Sequence, residues 1–78
     1  VDPGQAVAAA LELAGRVNAN APLAVRASRR SILRTQLLDD EAGIRLTGEE
    51  TRLLADTDDF REGPRAFVEK RPPEWKGR

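Results

Sequence analysis

Apolar side chains recur about every three to four residues along most of the chain, which is the spacing of one face of an α-helix. In the first segment this stripe contains Val7, Leu11 and Val17 among strong helix formers. A second stripe starts at Leu23, directly after Pro22, a residue type that suits the first helical position. The pattern predicts an all-α fold of four helices and a proline-rich tail. The predicted helices cover residues 3–18, residues 22–38, a third stretch that starts between 40 and 48 and ends at 56, and residues 58–70.

Polar residues indicate where these helices start. Asp2 is the predicted N-cap of the first helix, with Pro3 in the first helical position. The third helix has two competing starts. Asp39 or Asp40 can cap it, whereas Thr47 opens a capping-box pattern, Thr-Gly-Glu-Glu, further along the chain. The residues alone leave this start open.

The fourth helix has clear boundaries. Thr57 is its predicted N-cap, and the two aspartates that follow complement the positive end of the helix dipole. Phe60 and Phe67 fall on one stripe of this helix. Because Pro72 cannot continue a helix and disfavours helical geometry in the residue before it, the stop falls near Lys70.

Pro64 lies inside the fourth helix and predicts a local distortion. It has no amide hydrogen to donate, and its ring crowds the carbonyl of Phe60. We therefore expect a bend near Gly63.

Composition limits both the core and the chemistry of this 78-residue chain. It has no cysteine and no histidine, so it offers no disulfide, no thiol nucleophile, no Ser-His-Asp arrangement and no ordinary zinc site. Much of its 40% hydrophobic content is alanine, which buries little area per residue. Since small chains bury only a modest fraction of their surface, we expect a shortage of core and a partner surface that compensates for it.

Acidic residues form clusters, but they do so where helices start. Capping or solvation explains these clusters better than acid–base catalysis, because a small helical surface offers little desolvation to tune a pKa. We predict no catalytic residue and no metal ligand in this chain. The clusters are Asp39-Asp40-Glu41, Glu49-Glu50 and Asp58-Asp59.

Arg26, Arg30 and Arg34 recur every fourth residue on the second predicted helix, joined by Arg29. A solvated face explains them best, because no aromatic side chain interleaves with them and 13 acidic residues balance the 13 basic ones. The alternative is an independent helical module that binds an acidic protein or RNA through this arginine face.

Nothing in the sequence points to a membrane. No apolar run approaches membrane-spanning length, and the amino end shows no signal-peptide pattern. We expect a soluble cytoplasmic protein with no nucleic-acid partner and no membrane partner.

Two blocks of residues carry a family resemblance. The chain reads E-G-P-R-A-F-V-E-K-R-P-P-E-W from Glu62 to Trp75, and N-A-N-A-P-L-A-V from Asn18 to Val25, followed by the Arg29-Arg30 pair. These blocks resemble, in the same order, the carboxyl end of the enoyl-CoA hydratase/isomerase (crotonase) superfamily. Its members commonly finish with E-G-x-x-A-F-x-E-K-R-x-P-x-aromatic, after a turn containing A-P-x-A and a basic helix. The middle of the chain matches least, because the family often has bulkier side chains where Thr51 and Arg52 stand.

This resemblance implies that residues 1–78 form the helical C-terminal domain of a larger enzyme. In the superfamily a spiral of strands and helices supplies the oxyanion hole and the acid–base carboxylates, and that spiral core is absent here. The helical part packs subunits into trimers or hexamers and covers the acyl-CoA site. The implied parent is an enzyme, an enoyl-CoA hydratase or isomerase, whereas the 78 residues alone are not expected to catalyse. No cofactor is implied, since CoA is part of the substrate.

The resemblance also implies roles for single residues. The lysine of the E-K-R block, Lys70, can reach the adenosine phosphates of CoA, and Arg71 adds positive potential beside it. An ordinary surface lysine is the alternative. Aromatic and apolar residues are the expected packing or subunit-interface anchors, since such residues dominate those contacts. These anchors are Phe60, Phe67, Val68 and Trp75.

Overall fold

The computed structural model describes all 78 residues and contains four α-helices and no strand, which confirms the all-α prediction. A tail without regular structure, residues 72–78, follows the last helix. None of the helices is both long and apolar enough to span a membrane. The helices are α1 (Ala6–Asn18), α2 (Pro22–Thr35), α3 (Asp40–Leu54) and α4 (Asp58–Glu69).

Helix α1 begins three residues after the predicted start, because the chain makes a turn there. The amide of Gln5 donates to the carbonyl of Asp2 at 3.1 Å, and Gly4 has a φ of 88°. Proline followed by a glycine of positive φ is the pattern of a type II β-turn. Pro3 therefore occupies a turn position, and the predicted cap by Asp2 is wrong.

Helix α3 uses the earlier of its two candidate starts. The Asp39 side chain accepts a hydrogen bond from the amide of Ala42 at 2.8 Å and caps the helix. Thr47 lies inside the helix, where its hydroxyl donates to the carbonyl of Gly43 at 2.9 Å. The capping-box pattern is therefore not used as a cap.

Helix α4 begins at its predicted cap and stays continuous past its internal proline. The hydroxyl oxygen of Thr57 accepts from the amide of Phe60 at 3.2 Å, which confirms the cap. Pro64 lies within one helix that runs on to Glu69, so the helix does not restart at this proline. The bend near Gly63 stays a prediction.

The molecule is a flat, open arrangement with almost no interior. Its extents are 42 × 40 × 18 Å, and its radius of gyration is 15.6 Å. A compact domain of this length would have a radius of about 11.5 Å. Only four residues are buried, which confirms the expected shortage of core. They are Ala27, Glu50, Asp59 and Ala66.

One buried carboxylate joins α2 to α3. Glu50 accepts from Arg30 at 2.9 Å and from Arg34 at 3.4 Å. The hydrogen bond from Arg30 lowers the pKa of Glu50. These two arginines of the predicted solvated face therefore also pair with a residue of the neighbouring helix, while their side chains stay 46% and 61% exposed.

Candidate binding site at the end of helix α4

The turn after α4 presents Lys70 in an unusual backbone conformation. Lys70 has a φ of 54° and a ψ of 46°, in the left-handed region. Its amide donates to the carbonyl of Phe67 at 3.2 Å, and the amide of Arg71 donates to the carbonyl of Ala66 at 3.1 Å. This pair of bonds defines a Schellman motif, in which glycine usually takes the left-handed position. A lysine there costs roughly 1 kcal/mol, so the surrounding contacts must hold it in place.

Arg71 and Glu62 form the main contact that holds this turn. Two guanidinium nitrogens of Arg71 donate to the two carboxylate oxygens of Glu62, at 2.6 and 3.0 Å. Its Nε donates to Glu69 at 2.6 Å. A bidentate arginine–carboxylate pair fixes orientation as well as distance. The guanidinium of Arg71 is thus already occupied within the chain.

Glu62 also binds the tail. Its carboxylate accepts from the backbone amide of Glu74 at 2.7 Å, and only 13% of its side chain is exposed. Hydrogen bonds from Arg71 first, and from the Glu74 amide second, lower the pKa of Glu62 to about 2. The same pairing raises the pKa of Arg71. We call these three partners, Glu62, Arg71 and the Glu74 amide, the Glu62 clamp.

A second clamp holds the tail at the other end of α4. The two carboxylate oxygens of Asp59 accept from the backbone amides of Lys76 and Gly77, at 2.7 and 2.8 Å. The amide of Asp59 donates to the carbonyl of Arg78 at 3.0 Å. Asp59 is only 3% exposed, so these amides, and not water, satisfy its carboxylate. We call this the Asp59 clamp.

Trp75 connects the tail with α4 and with the end of α1. A Cβ atom added at Gly63 would lie 3.5 Å from the Cη2 atom of Trp75, so the indole ring passes close to the helix where the side chain is smallest. The indole nitrogen donates to the carbonyl of Ala19 at 2.9 Å. The tail is therefore fixed to the rest of the molecule by two clamps and this ring.

Similar proteins share the sequence and the overall fold of this chain. No family model matches the chain. An enoyl-CoA hydratase from Mycobacterium tuberculosis is 42% identical over 78 residues, which is all of this chain and 29% of that protein. A 2,3-dehydroadipyl-CoA hydratase from Escherichia coli K12 is 38% identical over 69 residues, covering 88% of this chain and 27% of that protein.

Solved structures of enoyl-CoA hydratases/isomerases also match this chain. A crystal structure of an enoyl-CoA hydratase/isomerase from Mycobacterium paratuberculosis superposes on the whole chain with a TM-score of 0.90 at 41% identity, and the match covers 31% of that protein. The chain matches the carboxyl-terminal helical region of the crotonase superfamily. The family resemblance read from the two sequence blocks is thereby confirmed, and the chain spans about 30% of the length of these superfamily members.

Within this crotonase-like region the two predicted CoA-binding residues are placed differently. Lys70 is exposed and forms no ion pair with any carboxylate of the chain. The guanidinium group of Arg71, in contrast, forms ion pairs with Glu62 and Glu69. The geometry favours a structural role for Arg71 and leaves the ammonium group of Lys70 unpaired. Contact of either residue with CoA stays a prediction.

The predicted interface residues also divide into two groups. Phe67 is 86% exposed and Val68 is 78% exposed, and half of Phe60 is exposed. Trp75 is instead half-buried within the chain. Phe60, Phe67 and Val68 therefore expose apolar surface to solvent. Trp75 instead contacts Gly63 and the carbonyl of Ala19 within the same chain. Contact of these residues with another subunit stays a prediction.

Proposed function

We propose that this chain is the helical C-terminal part of an acyl-CoA hydratase or isomerase, in which it packs subunits together and covers the acyl-CoA site. The observation that carries the proposal is the superposition of the entire chain on about a third of a hydratase/isomerase fold. The parent reaction is addition of water across a 2-enoyl-CoA, or a related isomerisation through an enolate. The residues that perform that chemistry belong to the other part of the enzyme.

The exposed surface of the chain supports the packing role. Its accessible surface is 6516 Å², whereas a compact protein of its mass exposes about 4,700 Å². The excess, roughly 1,800 Å², is larger than the contribution of one partner to a standard protein interface, about 800 Å². We infer that the chain is covered on more than one side, by its own catalytic part and by a neighbouring subunit.

An apolar groove also supports the proposed packing. It has a volume of about 580 Å³ and lies along α2 and the end of α1. Large apolar side chains are also exposed along the rest of α1 and on α3 and α4. Burial of this surface would supply the hydrophobic stabilisation that the chain lacks alone. The groove is lined mainly by Val17, Ala24, Val25, Ile32 and Leu33.

We further propose that Lys70 contacts the phosphates of CoA. A lysine is a mobile point charge on a long stem, and here its backbone is held in a fixed turn while its ammonium group has no partner in the chain. Arg71 supports this turn instead of binding the ligand. We also propose that the parent enzyme is a homo-oligomer, either a trimer or a hexamer, and that it is located in the cytoplasm.

The alternative, an arginine-face module that binds an acidic protein or RNA, has less support. Glu50 occupies Arg30 and Arg34, which are two of the four arginines on that face. Arg26 and Arg29 remain without a partner, and the net charge of the chain is zero. A surface with so little free positive charge offers weak attraction to a polyanion.

Sedimentation equilibrium with circular dichroism tests the packing role on the 78-residue chain. We expect the helical signal to rise with protein concentration as the chain self-associates and buries its exposed surface. A cooperatively folded monomer at all concentrations would refute the packing role and favour the arginine-face module. Hydration of a short 2-enoyl-CoA by the full-length protein that carries this chain tests the parent activity.

A further inference from the structure

We propose that Glu62 is a positioning residue for Lys70, and that it holds the turn after α4 so that the lysine ammonium group faces the phosphates of CoA. The inference rests on the proposed contact between Lys70 and CoA. It assigns to Glu62 a function in ligand affinity beyond its role in the fold.

The backbone of Lys70 needs external support. A left-handed lysine persists only where the surrounding structure over-determines it. The Schellman bonds stabilise the turn, but they come from the helix itself and do not fix the direction of the chain that follows. Glu62 fixes that direction, because its carboxylate binds the side chain of Arg71 and the backbone of Glu74, one and four residues after the lysine.

The other carboxylate on Arg71 cannot replace Glu62. Glu69 makes a single hydrogen bond to Arg71, and its side chain is 52% exposed. Glu62 accepts three hydrogen bonds and joins Arg71 to the backbone amide of Glu74, whereas Glu69, the last residue of α4, contacts Arg71 alone. Without Glu62, Arg71 keeps Glu69 and a longer bond, 3.3 Å, to the carbonyl of Pro72, and the Glu74 amide has no partner.

Loosening of this turn would be measured as weaker binding of the phosphates. A lysine on a mobile backbone loses more conformational freedom when it binds than a lysine on a fixed one. We expect a roughly threefold to tenfold increase in KM for a CoA thioester, with kcat unchanged, because the contact is remote from the reacting atoms. A thioester that lacks the adenosine phosphates should be unaffected.

The experiment compares 2-butenoyl-CoA with 2-butenoyl-pantetheine in the full-length enzyme. Glu62→Gln keeps the shape of the side chain but removes the charge and one of the two acceptor oxygens. Glu69→Gln is the matched control, because it removes the charge of the second carboxylate on the same arginine. Lys70→Asn removes the ammonium group with a residue type that tolerates the left-handed conformation.

Glu62→Gln should raise KM for the CoA thioester only, and Glu69→Gln should change that KM less than about twofold. In the double variant, Glu62→Gln should add nothing to the effect of Lys70→Asn on this KM.

Equal effects of Glu62→Gln on both thioesters, or a lower kcat, would show a merely structural role and overturn the inference. If Lys70→Asn is itself without effect on the CoA thioester, the proposed contact fails. If Lys70→Asn is selective and Glu62→Gln is not, the inference alone fails. Should Glu62→Gln not fold, Arg71→Lys breaks the same bidentate pair from the other side.

Discussion

Replacing Asp59 by asparagine should release the tail from α4 while leaving the helix intact. The substitution keeps the size of the side chain but removes its charge. It also turns one acceptor oxygen into an amino group that faces a backbone amide. One of the two hydrogen bonds of the Asp59 clamp is therefore lost, and the other becomes an ordinary bond between neutral groups.

The geometry sets the size of this effect. Each bond from a backbone amide to the carboxylate is short, at 2.7 and 2.8 Å, and lies in a site closed to water. A hydrogen bond to a charged group contributes about 1.5–3 kcal/mol, so the substitution should cost about 2 kcal/mol. That is roughly a thirtyfold shift toward the detached tail. A tail detached about 1% of the time would then be detached about a quarter of the time.

Trp75 is the only tryptophan of the chain and lies in the tail, so its fluorescence reports the detachment. We expect stronger acrylamide quenching and lower anisotropy of Trp75 in Asp59→Asn, measured at a protein concentration where the helical signal no longer rises. Asp58→Asn is the matched control. Its carboxylate is half-exposed and makes only longer contacts, at 3.7 Å to Arg61 and 3.4 Å to Arg78.

Two results would refute the reasoning about the Asp59 clamp. Unchanged Trp75 quenching in Asp59→Asn would show that the two amide bonds do not hold the tail. Equal quenching in the Asp58 and Asp59 variants would show that the general negative charge near the helix start matters, and not the two specific bonds.

Three further predictions concern single positions. Gly48 lies inside α3 and an added Cβ would meet no atom within 4 Å, so Gly48→Ala should raise the free energy of unfolding by about 1 kcal/mol, seen as a higher urea midpoint at equal protein concentration. Lys70→Gly should raise the free energy of unfolding by roughly 0.5–1 kcal/mol, because glycine adopts the left-handed conformation without strain, whereas Lys70→Ala should not raise it. Equal urea midpoints for the glycine and alanine variants would contradict this explanation. Since the pKa of Glu62 is lowered from 4.5 to about 2, its contribution to stability is complete above pH 4.5 and is lost as the pH falls toward 2. An acid titration followed by Trp75 fluorescence should show this loss, and Glu62→Gln should not.

The existence of the four helices could be predicted because local signals agree with the final structure. Thr57 caps α4 and Pro22 opens α2 as their residue types suggest. The start of α1 could not be predicted correctly, since Pro3 fits the first position of a helix and the second position of a turn equally well. Gly4 decides for the turn by taking a positive φ, which the residue pattern alone does not reveal.

The partners of the buried carboxylates could not be predicted, because they depend on how distant segments meet. Glu50 lies 20 residues from Arg30, and their pairing follows from the way α2 packs on α3. Asp59 and Glu62 belong to a helix start rich in acidic residues. The sequence pattern therefore predicts that they complement the helix dipole or belong to the family motif, and it does not indicate a partner in the tail. Their actual partners lie in the tail, and the proline pair after Arg71 is the only local hint of a change in chain direction.

The way α4 is held has a consequence for how the molecule fluctuates. Contacts between helices are concentrated between α2 and α3 and between α1 and α2, whereas α4 is bound mostly by its own tail. The Asp59–Gly77 bond joins residues 18 positions apart and closes a loop, and the long-range hydrogen bond that joins this loop to the other helices runs from Trp75 to Ala19. Such a segment can open as one cooperative unit, at a free energy below that of global unfolding. Amide hydrogens of α4 should then exchange as a group distinct from those of α2 and α3. If α4 and the tail form part of the proposed cover over the acyl-CoA site, independent opening of this kind would let them move while α2 and α3 stay packed.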